Sequence, residues 1–214
     1  MEPQPPRRTT HTSGGPTRLL AYDRWGRYGR PVVLLHGLLF DRTMWWPVAA
    51  ELGTACTVVA VDLPGHGQSP PRTDTSLDLI AADLATLVFN LGLHRAPVIV
   101  GHATSAWLAT AFADAYATRH VLTVDEPDTD LTGVGDLIRA ARLEQVPEMY
   151  RPYVQPRHDP ALLRAYESWL AQPPTRRAQP AMAGSAANRP PAPQRRFPHL
   201  TDPAGFAAEL RDLL

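Results

Sequence analysis

Four short apolar runs constrain this chain more than any other feature. Pro31-Val32-Val33-Leu34-Leu35, Thr57-Val58-Val59-Ala60-Val61-Asp62, Pro97-Val98-Ile99-Val100-Gly101 and Val121-Leu122-Thr123-Val124-Asp125 are apolar nearly throughout and rich in β-branched residues. That pattern belongs to strands covered on both faces. Helical stretches separate them. Thr43 to Leu52 reads as a helix that ends near Gly53. In Ser76 to Leu91, the residues Leu77, Ile80, Ala81, Leu84, Leu87, Val88 and Leu91 recur at helical spacing, with Thr75 or Ser76 as cap and Gly92 as stop. Thr104 to Ala117 is apolar or small almost all round, so it should be the most buried helix. Strand and helix in alternation predict a doubly wound, mostly parallel α/β sheet with helices on both faces. Leu19 to Tyr22 adds a strand before the first run.

The flanks read differently. Residues 1–17 hold Pro, Thr, Gly and Arg without apolar periodicity and are expected to be a disordered leader to a domain spanning 18–214. Within that domain, 128–171 is expected to form a short helical cap, from helices over Asp136 to Gln145 and Pro160 to Leu170. Residues 172–198 carry seven prolines, five arginines and no acid, which predicts disorder where further strands could follow. At the end, Asp202 caps, Pro203 opens a helix, and Phe206, Leu210, Leu213 and Leu214 make its apolar face. A sheet shortened at its C-terminal side would leave the Val121 strand as an apolar edge. Either the C-terminal helix or a second copy of the chain, forming a homodimer, is expected to cover it.

Composition removes several functions. The 21 bases balance 21 acids, so no overall field attracts nucleic acid or a membrane surface. All the bases are arginine, which excludes a Schiff-base or phosphate-loop lysine. A lone cysteine, Cys56, excludes an internal disulfide and a thiolate metal cluster. No apolar run approaches the ~18 residues of a membrane span, and the first residues lack the apolar core of a secretory signal. The expectation is a soluble, cytoplasmic protein with no metal or organic cofactor.

Chemistry-bearing residues cluster at the carboxyl ends of the strands, where open α/β sheets bind ligands. They are His36-Gly37-Leu38-Leu39, Asp62-Leu63-Pro64-Gly65-His66-Gly67-Gln68-Ser69, Gly101-His102-Ala103-Thr104-Ser105 and Asp125-Glu126-Pro127. The third is a strand-to-helix turn, and the helix start behind it favours negative charge. The backbone N–H of Thr104 and that of Leu38 could converge as an oxyanion hole. Asp62 and its Gly-rich loop read as a structural turn. His36, Trp45 and His102 are candidate pocket residues, with core packing as their other reading.

From Val32 to Asp125 the chain resembles the α/β-hydrolase family. It has the His-Gly oxyanion turn, the Asp-x-Pro-Gly-His-Gly-x-Ser loop and the nucleophile-elbow helix in family order. Arg196-Phe197-Pro198-His199-Leu200 resembles the family's closing Gly-His-Phe-Pro-His-Leu segment. The resemblance implies a hydrolase of small apolar ester-type substrates. Yet the elbow pattern is Gly-x-Ser-x-Gly, and here Ala103 stands at the nucleophile and Ser105 at the last glycine. Arg196 stands at the general base, and a guanidinium cannot accept a proton. Asp125 could serve as an acid, and His199 could substitute for the base. Three readings follow: a hydrolase using water positioned by His102 or His199, a non-catalytic pseudoenzyme that binds a ligand or partner, or a truncated vestigial copy.

Overall fold

The computed structural model describes residues 7–125, 137, 141, 143–156, 159–170 and 197–214. The six described strands are β1 (Thr9–Ser13), β2 (Leu20–Trp25), β3 (Pro31–Leu35), β4 (Thr57–Val61), β5 (Val98–His102) and β6 (His120–Val124). They form one sheet in the order β1-β2-β4-β3-β5-β6. The four apolar runs are the parallel part: β3 pairs with β4 and β5, and β5 with β6. The first two strands are antiparallel, so the sheet is mixed.

Residues 9–13 correct the expectation of a disordered leader through residue 17. Thr9 pairs with Arg24 and Ser13 with Leu20, although only Ser13 in this strand is buried. Backbone pairing and the bond from the Thr10 hydroxyl to Asp23 Oδ1, 2.7 Å, hold it without apolar burial.

The helices are α1 (Trp46–Leu52), α2 (Leu77–Asn90), α3 (Ser105–Ala115), α4 (Pro160–Ala165), α5 (Glu167–Leu170), α6 (Pro198–Thr201) and α7 (Pro203–Asp212). Pro47 falls in the first turn of α1, and a 3-10 turn at Arg42–Trp45 precedes it. The stop at Gly92 holds, with φ +67. Ser76 takes the N-cap position, its carbonyl accepting from Ile80 N at 3.1 Å, but its side chain makes no bond to α2, and the Thr75 hydroxyl goes to Ala165 O. Asp202 caps α7 as expected, accepting from Gly205 N at 3.0 Å.

One core runs through both faces of the sheet. Every residue of β3 and β4 is buried, and so are Val48, Leu52, Leu84, Leu87, Leu108, Phe112 and Leu210. α7 packs on α1 rather than on β6, so of the two expected covers for that edge, the C-terminal helix or a second copy, the first is not the one found. Arg30 fixes the chain end by donating to Leu214 O at 3.1 Å and Ala96 O at 2.7 Å. The expected disordered stretch at 172–198 lies outside the described residues except for Phe197 and Pro198, as does half of the expected helix over 136–145. α4 and α5 occupy the expected cap, and their aromatic heteroatoms reach the loop after β4. Tyr166 Oη donates to Pro64 O and Trp169 Nε1 to Thr75 O, both at 2.8 Å.

Candidate active site

The elbow is formed by the join of β5 and α3. Ala103 has φ +49, a left-handed backbone that costs a residue with Cβ roughly 1–2 kcal/mol. Its N–H donates to Val124 O at 2.7 Å, and its carbonyl accepts from Ala106 N at 3.0 Å. Gly101 is required beneath it, because a Cβ there would overlap the Ser105 carbonyl. This is the strained turn that lifts a nucleophile above the sheet in the elbow pattern. Here it presents a methyl group.

The turn after β3 is locked against the elbow. A Cβ on Gly37 would lie 3.0 Å from His102 Nδ1 and 3.2 Å from Ala103 Cβ, so glycine permits the close approach. His36 Nδ1 donates to Gly37 O at 2.9 Å, and His36 Nε2 accepts from Leu63 N at 3.0 Å. His66 Nε2 donates to Leu38 O at 2.9 Å. Ser105 Oγ donates to His36 O at 2.5 Å. Leu38 N, expected as an oxyanion donor, donates at 3.1 Å to the hydroxyl of Thr104.

His102 Nε2 donates to Asp125 Oδ2 at 3.2 Å, and the same oxygen accepts from Phe197 N at 2.7 Å. Residues from β5, the end of β6 and the C-terminal segment thus meet at one carboxylate. The Phe197 ring stacks on His102, with centroids 5.2 Å apart. His199 is fully buried beside Trp45, centroids 4.3 Å apart, and 5.4 Å from His102. His102 Nδ1, both His199 nitrogens and Trp45 Nε1 make no hydrogen bond among the described residues. Burial, and then the nearby His102, push the His199 pKa well below its ordinary value. Burial likewise pushes His36 and His66 down to about 4.

The structure brings Ala103, Leu38, Thr104, His102 and Asp125 together. It places His36, Trp45 and His199 wholly inside the core, with the His199 ring 5.4 Å from that of His102. Arg196 lies outside the described residues. Asp62 is structural: it accepts from Arg42 N at 2.9 Å and Gln68 N at 2.8 Å, and pairs with the Arg42 guanidinium. Sequence reasoning missed Phe197 and the Thr104 hydroxyl. The short step from residue 196 to Phe-Pro-His gave a signal for the first; nothing gave one for the second. Among the described residues no cluster of metal-ligating side chains occurs, and no helix is long and apolar enough to cross a membrane.

A mixed sheet in this strand order, with a sharp strand-to-helix turn after β5 packed against a His-Gly turn after β3, has the α/β-hydrolase architecture. The model of the alpha/beta hydrolase family matches residues 32–213, and the chain belongs to that family. It is 36% identical over 124 residues to the dihydrolipoyllysine-residue acetyltransferase component of an acetoin cleaving system from Cupriavidus necator, covering 58% of this chain and 32% of that protein. It is 31% identical over 124 residues to the mouse (Mus musculus) sn-1-specific diacylglycerol lipase ABHD11, covering 55% of this chain and 40% of that one. The chain thus spans well under half the length of these curated relatives. Among solved structures, a variant of AqdC bound to its substrate, the Pseudomonas quinolone signal, superposes with a TM-score of 0.68 at 23% identity, covering 97% of this chain and 98% of that one. That likeness is one of fold.

Proposed function

We propose that this chain descends from hydrolases of small apolar esters and now binds a small apolar molecule at the elbow without forming an acyl-enzyme. The observation that carries the reading is Ala103, held at φ +49 where the nucleophile belongs. A methyl group has no lone pair to attack a carbonyl. The lipase and the Legionella pneumophila pimeloyl-[acyl-carrier protein] methyl ester esterase among the relatives support the ester lineage. Loss of triad members leaves only ~10³–10⁴-fold catalysis over water where it has been measured.

A second reading keeps hydrolysis through a water positioned by His102. The His102–Asp125 pair at 3.2 Å favours it, because the carboxylate holds the ring in one orientation and tautomer, with Nδ1 left as the acceptor. One experiment separates the two readings. p-Nitrophenyl butyrate turnover is measured for the purified chain, for Ala103→Ser and for Ala103→Ser with Arg196→His. The proposal expects the unaltered chain at the buffer rate and turnover only in the double variant. Turnover by the unaltered chain above buffer would overturn it in favour of the water route.

A further inference from the structure

We infer that the Thr104 side chain is a built-in occupant of the oxyanion turn, holding the Leu38 N–H that a ligand carbonyl would otherwise take. The inference rests on the elbow being a non-covalent binding site, and it says what kind of ligand that site prefers. Leu38 N donates to Thr104 Oγ1 at 3.1 Å, with Thr104 fully buried and Leu38 2% exposed. A buried N–H already paired gains nothing from a ligand oxygen unless its present partner leaves.

The turn has no room to offer a different N–H geometry. Leu38 O accepts from His66 Nε2 at 2.9 Å, so both backbone groups of Leu38 are engaged. Gly37 O accepts from Phe40 N at 2.9 Å, and His36 O accepts from Ser105 Oγ. Gly37 itself is wedged on His102 and Ala103. Thr104 is β-branched, so few rotamers are open to its hydroxyl. The site therefore selects ligands by apolar contact and discriminates against those that need a carbonyl or carboxylate oxygen bound. Thr104 is a specificity-determining residue that acts through Leu38.

The test uses the full chain, ¹⁵N-labelled, as wild type, Thr104→Val and Thr104→Ser, with butyrate as a probe carrying an oxygen pair on an apolar tail. Valine keeps the shape and removes the acceptor; serine keeps the acceptor. The Leu38 amide proton resonance is expected to move upfield in Thr104→Val and to stay in place in Thr104→Ser. Butyrate should bind Thr104→Val roughly tenfold or more tightly than wild type, moving the Leu38 resonance as it binds. Thr104→Ala replaces the valine variant should that one fail to fold. An unmoved Leu38 resonance, or equal binding by wild type and Thr104→Val, including binding by neither, overturns the inference. Ester turnover by the wild-type chain would instead sink the non-covalent reading and leave the Leu38 resonances to decide the role of Thr104.

Discussion

Asp125 Oδ2 holds the backbone N–H of Phe197 at 2.7 Å, joining residues 72 positions apart in the chain. The same oxygen holds His102, so one carboxylate fastens the C-terminal segment to the elbow. Its backbone sits at φ +53, a region asparagine tolerates better than most residues. Asp125→Ala is expected to cost about 1.5–3 kcal/mol, the value of hydrogen bonds to a charged group. Asp125→Asn keeps an acceptor and suits the φ, so it should cost less. Urea denaturation of the two variants checks this; equal losses would mean the carboxylate oxygen is not what anchors Phe197.

Ala103 carries backbone strain, with φ +49 in a residue that has a Cβ. Glycine at a left-handed position removes the Cβ penalty but loosens the unfolded chain by about 0.4–1 kcal/mol. Ala103→Gly is therefore expected to be neutral or stabilising by up to about 1 kcal/mol. Ala109→Gly, in the buried interior of α3, should cost about 1 kcal/mol from helix propensity alone. Thermal melts of the two variants decide; a loss at Ala103 as large as that at Ala109 would contradict the strained elbow.

Arg42 is the buried counter-charge of two carboxylates. It pairs with Asp23 at 3.0 Å and with Asp62, and it also donates to Gln68 Oε1 at 3.0 Å. Burial already pushes the Asp62 pKa up, against the N–H groups of Gln68 and Arg42 that pull it down. Arg42→Met would leave both carboxylates without their cation, at an expected cost of about 3–5 kcal/mol in denaturant titrations. A loss below about 1 kcal/mol would place the ion pair among surface-type interactions.

Acid should loosen the turn after β3 before it unfolds the sheet. His36 and His66 are held near pKa 4, chiefly by burial, against the ordinary 6.5. A depressed histidine pKa means the unfolded state binds more protons between these values, so stability is full above about pH 6.5 and falls toward pH 4. The contribution lost is on the order of 3 kcal/mol for His66. Protonation also removes the acceptor that His36 Nε2 offers to Leu63 N. Urea midpoints at pH 7, 5.5 and 4.5 should fall steadily, and His66→Gln should flatten the fall. A level profile would rule out buried neutral rings.

β3, β4 and β5 were legible because each is buried throughout and so is apolar without alternation; β6 shares the pattern although, at the edge of the sheet, only Val124 in it is buried. β1 was not, because it buries almost nothing: its β-branched threonines were the only hint, and pairing with β2 is a property of the partner. The turn between β5 and α3 was readable from Gly101 and the helix start, and Ala103 is its left-handed residue. Asp62 was readable as structural, but not that Arg42 balances it, since burial of a distant arginine leaves no local pattern. The same holds for the meeting of His102, Asp125 and Phe197. Side-chain contacts between separate strand ends depend on how far each loop folds back, which residue spacing does not encode.

Tyr166 and Trp169 reach across to Pro64 and Thr75 with bonds at 2.8 Å, both side chains fully buried. Thr75 closes the circuit by donating to Ala165 O. The short helices and the segment 64–75 thus form one cooperative unit. Breaking either aromatic bond strands a buried acceptor on the opposite side, so neither part can swing out while the other keeps its place. Any opening between the two proceeds by local unfolding of the pair as a whole, and its rhythm is that of a foldon rather than of a hinge.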